Sequence, residues 1–399
     1  MTELPAIAGG TPVRKQYLIF GNPLIEQPEI EDVIDSLESG WLGTGPKVKR
    51  FEDAFRDYIG TTQAIAVNSC TAALHLSLLT IGVLPGDEVI TTPMTFTATA
   101  ASIIHAGATP VFVDVDLKSM NMSPDMIESA ITERTKAILP VHFAGFPCDM
   151  DRILALSRRF GLKIVEDAAH AVESVAHGRK VGNIGDLTCF SFYSTKNIVT
   201  GEGGMITTND KDYMKNIKML ALHGMTTDAW HRFKDKGFKH YQVVHPGFKY
   251  NMMDLQAAIG YHQLQRIEKY AARRKEIWNR YNDVFKEYPF ITPSDPPMEG
   301  DRHARHLYTL LLKSEELKID RDRFMEALHK ENIGTGVHYV ALHLHPFYGE
   351  KYQLTRGAFP NAEYISDKTL SLPLSPKLSD ADVEDVITAV CRIADYYAQ

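Results

Sequence analysis

QAIAVNSCTAALHLSLLTIG, residues 63–82, changes character once. QAIAV (63–67) suits a strand, and TAALHLSLLTIG (71–82) suits a helix closed by Gly82. A strand that runs through a short polar turn into a helix is half of a βαβ unit, so the fold depends on whether the rhythm repeats. It repeats to about residue 208. GDEVITT precedes TATAASIIHAG, and TPVFVDV precedes the SPDMIESAI helix, with Ser123 at its N-cap and Pro124 at its first position. TKAILPVHF precedes the helix DMDRILALSRRFG, and LKIVEDAA, DLTCFSFY and GGMITTN follow. This alternation predicts an α/β protein with a mainly parallel sheet flanked by helices. The strands are continuous apolar runs, which predicts burial on both faces.

Beyond Asp210 the character shifts. A helix near 210–222 leads into the polar stretch TTDAWHRFKDKGFKHYQ, and one long helical pattern runs from Met253 to about Tyr288. ARHLYTLLLK then reads as a strand, RDRFMEALHKEN as a helix, and a last helix starts at Asp380. We expect a large domain over 1–264 and a smaller α+β domain over 265–399.

The chain has 399 residues, 44% of them hydrophobic and 23% charged, which is ample for a core. A net charge of −7 without a basic cluster argues against a nucleic-acid partner. Cys70, Cys148, Cys189 and Cys391 are far apart, with no CxxC pair. That favours a reduced, cytoplasmic setting over a disulfide framework or a zinc ribbon. MTELPAIAGGTPVRK lacks the apolar core of a signal peptide. Val89–Val113 lacks Asp, Glu, Lys and Arg, yet it contains Pro93, Pro110 and His105. It reads as strand, loop, helix and strand, so no membrane partner is expected.

Ligands of an open parallel sheet sit outside the carboxyl ends of its strands. Ser69 and Thr71 follow the first strand, where a helix N-terminus can hold an anion. By themselves they read as an ordinary cap. Phe96 ends the second strand and could stack on a flat ligand; by itself it reads as core. LKIVEDAA carries Glu166 and Asp167 to the same edge, with His170 just beyond. A buried carboxylate there needs a partner such as a cationic ring nitrogen, and a structural ion pair is the equal alternative.

Lys196 lies in SFYSTKNIVTGEGG (191–204), after Ser191 and Ser194. Neither GxxxxGK[ST] nor GxGxxG occurs, so neither a nucleotide P-loop nor a nicotinamide turn has support. A lysine in a partly desolvated site loses its proton more readily, and its neutral amine can form a Schiff base. Gly201, Gly203 and Gly204 would let backbone pass close to a bulky cofactor. Together these residues describe a site for pyridoxal 5′-phosphate: a covalent lysine, a carboxylate for the pyridinium, a serine and helix amides for the phosphate, and an aromatic for the ring. His343 and His345 form an HxH pair, but no third ligand is evident, so no metal is expected.

The chain resembles the DegT/DnrJ/EryC1/StrS family of nucleotide-sugar aminotransferases. The likeness lies in SGWLGTGPKVKRFE (39–52), NSCTAALHLSL (68–78), PGDEVITTPMTFTATA (85–100), ATPVFVDVD (108–116), PVHFAG (140–145), EDAAHA (166–171), FSFYSTKNIVTGEGGM (190–205), PGFKYNMMDLQAAIG (246–260) and LSLPLSP (370–376). The resemblance implies fold type I, as in the aspartate aminotransferases, and homodimers with shared active sites. It puts Lys196 on the Schiff-base lysine and Asp167 on the partner of the pyridine nitrogen. It puts His170 on the contact to the ring's phenolic oxygen, Ser191 and the Thr71 and Ala72 amides on the phosphate, and Phe96 on the stacking ring. Cys70 stands where many members have Gly. Lys249 stands where many have the Asn of GxNxR, so either Lys249 or Asn251 would make the phosphate contact across subunits. Some relatives carry His in place of the lysine and are dehydratases; Lys196 argues against that reading.

The implied reaction is ping-pong transamination from L-glutamate, leaving 2-oxoglutarate, to a nucleotide-linked keto-sugar. LHGMTTDAWHR (222–232) and GTGVHYVALHLHPFY (334–348) resemble members acting on UDP-4-keto sugars, with amination at C4. A dTDP- or GDP-linked sugar, amination at C3, and a non-catalytic cofactor-binding regulator are the alternatives. His223 and His338 fall in these segments as substrate-side candidates. Trp41 could line the substrate cleft, but it reads slightly better as a buried loop anchor.

Overall fold

The computed structural model describes residues 3–225, 241–296 and 299–398. The polar stretch beyond Met225 therefore lies mostly outside the described residues, as does most of 222–232. In chain order the first nine strands are β1 (Gln63–Val67), β2 (Glu88–Thr91), β3 (Thr109–Phe112), β4 (Thr135–Ile138), β5 (Lys163–Asp167), the short hairpin β6 (Val175–Ala176) and β7 (Arg179–Lys180), β8 (Leu187–Ser191) and β9 (Gly204–Thr208). Seven of them form one sheet in the order β1-β9-β8-β5-β4-β2-β3. β9 runs antiparallel to β1 and to β8, while β8, β5, β4, β2 and β3 pair in parallel. β1, β2, β5 and β8 thus deliver their carboxyl ends to one edge.

The expected rhythm holds. Every residue of β2, β8 and β9 is buried, as continuous apolar runs between two helical layers require. Helix Met150–Phe160 starts on Asp149, whose carboxylate accepts the Arg152 N–H at 3.2 Å. Pro124 opens helix Pro124–Ala130 as expected, although the Ser123 side chain makes no capping bond.

The single helix expected over 253–288 is two helices, Asp254–Gln265 and Ile267–Phe285. The chain leaves helical geometry at Arg266 (φ −108°, ψ 4°). The Arg266 guanidinium is drawn to Glu29 and, at 3.4 Å, to Glu26. The break lets the first helix pack beside helices Gln27–Ser39 and Pro46–Ile59 while the second enters a separate core. That core gathers Trp278, Tyr281, Phe285, Tyr308 and Phe324 around a small antiparallel sheet of β10 (Phe290–Ile291), β11 (Tyr308–Leu312) and β12 (Thr369–Leu372). The N-terminal segment crosses over to join it: Ile7, Val13 and Leu18 pack there, and Glu331 accepts the Ala6 and Val13 N–H groups, each at 2.7 Å. No helix among the described residues is long and apolar enough to cross a membrane.

Candidate active site

A cavity of ≈ 480 Å³ opens at the carboxyl edge of the sheet. Seven of the predicted positions line it together: Thr71, Phe96, Asp167, His170, Ser191, Lys196 and His338. They come from the turns after β1, β2, β5 and β8 and, for His338, from a loop more than a hundred residues later. Cys70, Thr95 and Tyr339 also line it.

Strand alternation separates the two adjacent carboxylates. Glu166 is fully buried in a structural set: its Oε1 accepts the Thr188 hydroxyl at 2.6 Å and the Gly185 N–H at 2.8 Å, and its Oε2 sits 3.0 Å from His142 Nε2. Asp167 faces the cavity. Its Oδ2 accepts the Thr99 hydroxyl at 2.8 Å and its Oδ1 accepts the Ala169 N–H at 3.1 Å. Thr99 Oγ1 in turn lies 2.7 Å from Thr95 Oγ1 and, having given its own proton to Asp167, accepts there. Burial pushes the Asp167 carboxyl up, against these two hydrogen bonds and the charge on Lys196. No cation lies within 4.0 Å of it among the described residues, so a cationic group in the cavity would relieve that cost.

Thr99 is fully buried, and a hydrogen bond to a charged oxygen is worth about 1.5–3 kcal/mol. Thr99→Val keeps the shape and removes the hydroxyl. We expect about 10- to 100-fold weaker pyridoxal phosphate binding by fluorescence titration, and near-native binding for Thr99→Ser. Equal binding by Thr99→Val would mean that the hydroxyl does not support Asp167.

Lys196 follows a turn closed by its N–H on the Tyr193 carbonyl at 2.8 Å. Burial pulls its amine down to about 8, against the opposing pull of Asp167 and Cys70. At pH 7 about a tenth of it is then neutral amine, against about one in 2,500 for an ordinary lysine. Only the neutral form attacks an aldehyde. The rate at which cofactor-free protein captures pyridoxal phosphate should therefore rise about tenfold from pH 6 to 7 and level off above about pH 8. Stopped-flow absorbance reads this directly, and a rate still climbing tenfold per unit at pH 9 would contradict it. Burial, followed by Asp167, holds the Cys70 thiol well above its ordinary value, so it is no competing nucleophile near neutral pH.

The helix after β1, Cys70–Thr80, points its N-terminus into the cavity. Ser69 caps it by accepting the Ala72 N–H at 3.1 Å. That amide, expected on a phosphate, is thus already engaged, whereas the first-turn amides of Cys70 and Thr71 have no intrahelical partner by construction. Gly204 is explained here. A Cβ on it would sit 2.6 Å from the Ser69 carbonyl carbon, so β9 can pass the helix start only with glycine. A Cβ on Gly203 would strike Thr200 Oγ1, and Gly201 takes φ +82° at a turn. Gly203 itself lines the cavity, so of the three glycines only Gly204 is fixed by a close approach of backbone.

Phe96 is 59% exposed, so it is no core residue; it stands at the N-cap of helix Thr97–His105 with its ring 6.1 Å from that of Tyr339. Ser191 is buried at the end of β8, its Oγ accepting the Tyr193 N–H at 3.3 Å. His170 is held well below its ordinary value by burial and then by the charge on Lys196, so it is neutral. His338 is pulled to about 3 by the same two causes, with Nδ1 2.8 Å from Ser371 Oγ.

Five predicted positions do not line this cavity, the first being Ala72, whose amide Ser69 holds. Lys249 is exposed, and Asn251 turns its Nδ2 to Thr44 Oγ1 at 2.6 Å. His223 is exposed in a left-handed backbone conformation. Trp41 is 51% exposed rather than a buried anchor. The GTGP turn beside it is held by Asp254, whose carboxylate accepts the Gly45 and Val48 N–H groups at 2.8 and 2.9 Å, which leaves the indole outside. The HxH pair does not converge: His343 is buried against Glu363 at 3.0 Å and His345 is exposed. Sequence reasoning missed Thr95, Thr99 and Tyr339. The threonines read as helix composition, and nothing in sequence ties Tyr339 to residues 167–196.

The donor set fits pyridoxal phosphate. A lysine whose amine is pulled down to about 8, a buried carboxylate in need of a cation, an aromatic face and a helix N-terminus with Ser191 suit the aldehyde, the ring nitrogen, the ring face and the phosphate respectively.

Comparison with known proteins agrees. The sequence profile of the DegT/DnrJ/EryC1/StrS aminotransferase family matches residues 23–391. The spore coat polysaccharide biosynthesis protein SpsC of Bacillus subtilis is 50% identical over 379 residues, covering 94% of this chain and 97% of SpsC. The putative sugar aminotransferase Spr1654 of Streptococcus pneumoniae, solved in pyridoxamine- and pyridoxal-phosphate forms, is 36% identical and superposes with a TM-score of 0.88, covering 96% of this chain and 98–99% of Spr1654. PseC of Helicobacter pylori, an aminotransferase of pseudoaminic acid biosynthesis, is 28% identical with a TM-score of 0.88 over 96% of this chain and all of PseC. The chain belongs to the DegT/DnrJ/EryC1/StrS family and is a pyridoxal-phosphate-dependent sugar aminotransferase of fold type I.

Proposed function

We propose that the protein moves an amino group from L-glutamate to a nucleotide-linked keto-sugar, with Lys196 as the covalent anchor and proton carrier. The observation that carries this reading is an amine pulled to about 8 in the same cavity as a buried, unpaired carboxylate. When bound, the cofactor supplies an electron sink for the carbanion at the donor's Cα. Lys196 Nζ removes the proton from that Cα and returns one to the sugar carbon that bore the carbonyl. Such general acid–base transfer is worth about 10²–10⁴-fold. Asp167, held by Thr99 and Ala169, keeps the ring nitrogen protonated. Ser191 and the first amides of helix Cys70–Thr80 hold the phosphate, and Phe96 covers the ring.

The acceptor we favour is a UDP-4-keto sugar aminated at C4. Support comes from the 334–348 segment, whose His338 and Tyr339 line the cavity. The working form we favour is a homodimer. Helix Gln27–Ser39 exposes Ile30, Ile34 and Leu37 in a row, with Trp41 and Leu42 beyond, an apolar face that suits a second copy. Lys249, exposed and outside its own cavity, is then free to reach the partner's. Four free cysteines suit a reducing cytoplasm. A division near residue 264 is supported by the helix break at Arg266 and the separate core around Trp278.

The test is to load the protein with pyridoxamine phosphate and screen nucleotide keto-sugars for return of the pyridoxal absorbance. Recovery with a UDP-4-keto sugar is expected. Recovery only with dTDP- or GDP-linked sugars would move the specificity, and a bound cofactor that responds to no donor or acceptor would favour the regulator.

A further inference from the structure

Two ring nitrogens of a neutral imidazole share one proton, and the structure shows which one holds it in His170. Ala144 takes a left-handed conformation (φ 54°) in the turn after β4, and its N–H donates to His170 Nδ1 at 3.1 Å. A main-chain N–H can only donate, so Nδ1 is the acceptor and the proton is on Nε2. Nε2 lies 3.2 Å from Tyr339 Oη. The imidazole is therefore the donor and the phenol oxygen the acceptor, which leaves the Tyr339 proton to point elsewhere. Tyr339 lines the cavity, and no other acceptor for its hydroxyl is within hydrogen-bond distance among the described residues.

The His170 ring is fixed from behind as well. His306 lies 4.5 Å away, centroid to centroid. Asn197, next to Lys196, gives its Nδ2 protons to Glu173 Oε2 at 2.9 Å and the Ala304 carbonyl at 3.1 Å. Its Oδ1 therefore accepts from His306 Nδ1 at 3.1 Å. Both polar atoms of His170 are thus engaged by protein, and neither faces a ligand unshared. Burial and then the Asp167 charge push the Tyr339 phenol up, so it keeps its proton to donate.

We propose that Tyr339, and not His170, donates the hydrogen bond to the phenolate oxygen of the bound cofactor, and that His170 is a positioning residue that orients the Tyr339 hydroxyl. This rests on the cofactor reading above. The chain Ala144 N–H, His170, Tyr339 leaves one proton free for the cavity that Lys196 also lines.

Tyr339→Phe removes only the hydroxyl. Against the unaltered protein, we expect pyridoxal phosphate to bind about 10- to 100-fold more weakly, with its visible band displaced at fixed pH. His170→Phe should reproduce much of that change, and the double variant should be no worse than Tyr339→Phe alone. Circular dichroism checks the fold; if His170→Phe does not fold, Tyr339→Phe decides alone. Native affinity and band in a folded Tyr339→Phe would overturn the proposal, as would a double variant whose losses add. Failure of the unaltered protein to take up the cofactor would instead overturn the functional reading itself.

Discussion

Lys196→Ala should abolish amino-group transfer from glutamate to the keto-sugar. Two losses coincide in this substitution. The covalent anchor disappears, and so does the one amine in the cavity whose pKa, about 8, lets it take and return a proton near neutral pH. Acid–base transfer alone is worth about 10²–10⁴-fold, and no other amine side chain lines the cavity. On the proposed reading Asp167 pairs with the ring nitrogen; burial keeps His170 and His338 poor bases, and Cys70 stays protonated. The phosphate and ring contacts remain, so the variant should still bind pyridoxal phosphate reversibly. The check is a coupled assay for 2-oxoglutarate beside a binding titration. Turnover at the native rate would show that another group does the chemistry.

Asp167→Asn is the second large effect. Asparagine fits the space and keeps an oxygen for the Thr99 hydroxyl or the Ala169 N–H, so folding should survive. What it removes is the charge that, on the proposed reading, pairs with a protonated ring nitrogen. Breaking a buried pair of charges costs about 3–5 kcal/mol, which is roughly 10²- to 10⁴-fold in kcat. The loss should fall on kcat with a small change in the donor's KM, because the protonated ring matters most as carbanion charge develops. A loss confined to KM would mean that Asp167 only helps binding. The effect should exceed that of Thr99→Val, which weakens the support and leaves the charge.

The sheet was readable in advance because burial on both faces leaves a mark on the chain: long apolar strands, each followed by a helical period. The carboxyl edge followed from that order, and with it the meeting of Thr71, Asp167, Ser191 and Lys196. The errors have local causes. Phe96 taken by itself looks like core because it follows an apolar strand, yet it sits at a helix N-cap, is exposed and lines the cavity, where the resemblance puts a stacking ring. The helical period through 253–288 conceals a break because it depends on distant partners, Glu26 and Glu29. The glycine cluster reads as space for a ligand; Gly203 does line the cavity, while Gly204 answers to the Ser69 backbone. Tyr339 arrives on a loop without a motif, and only its position against His170 gives it a role. Lys249 and Asn251 stay outside this cavity, with Asn251 held by Thr44.

The central claim is that Lys196 carries the cofactor. Pyridoxal phosphate is added to the purified protein, the product is reduced with borohydride, and the peptides are mapped by mass spectrometry. The account predicts a phosphopyridoxyl group on the peptide containing Lys196, at one equivalent per chain, and none on that peptide if reduction precedes the cofactor. Stoichiometric labelling of a different lysine, with Lys196 unmodified, would contradict it.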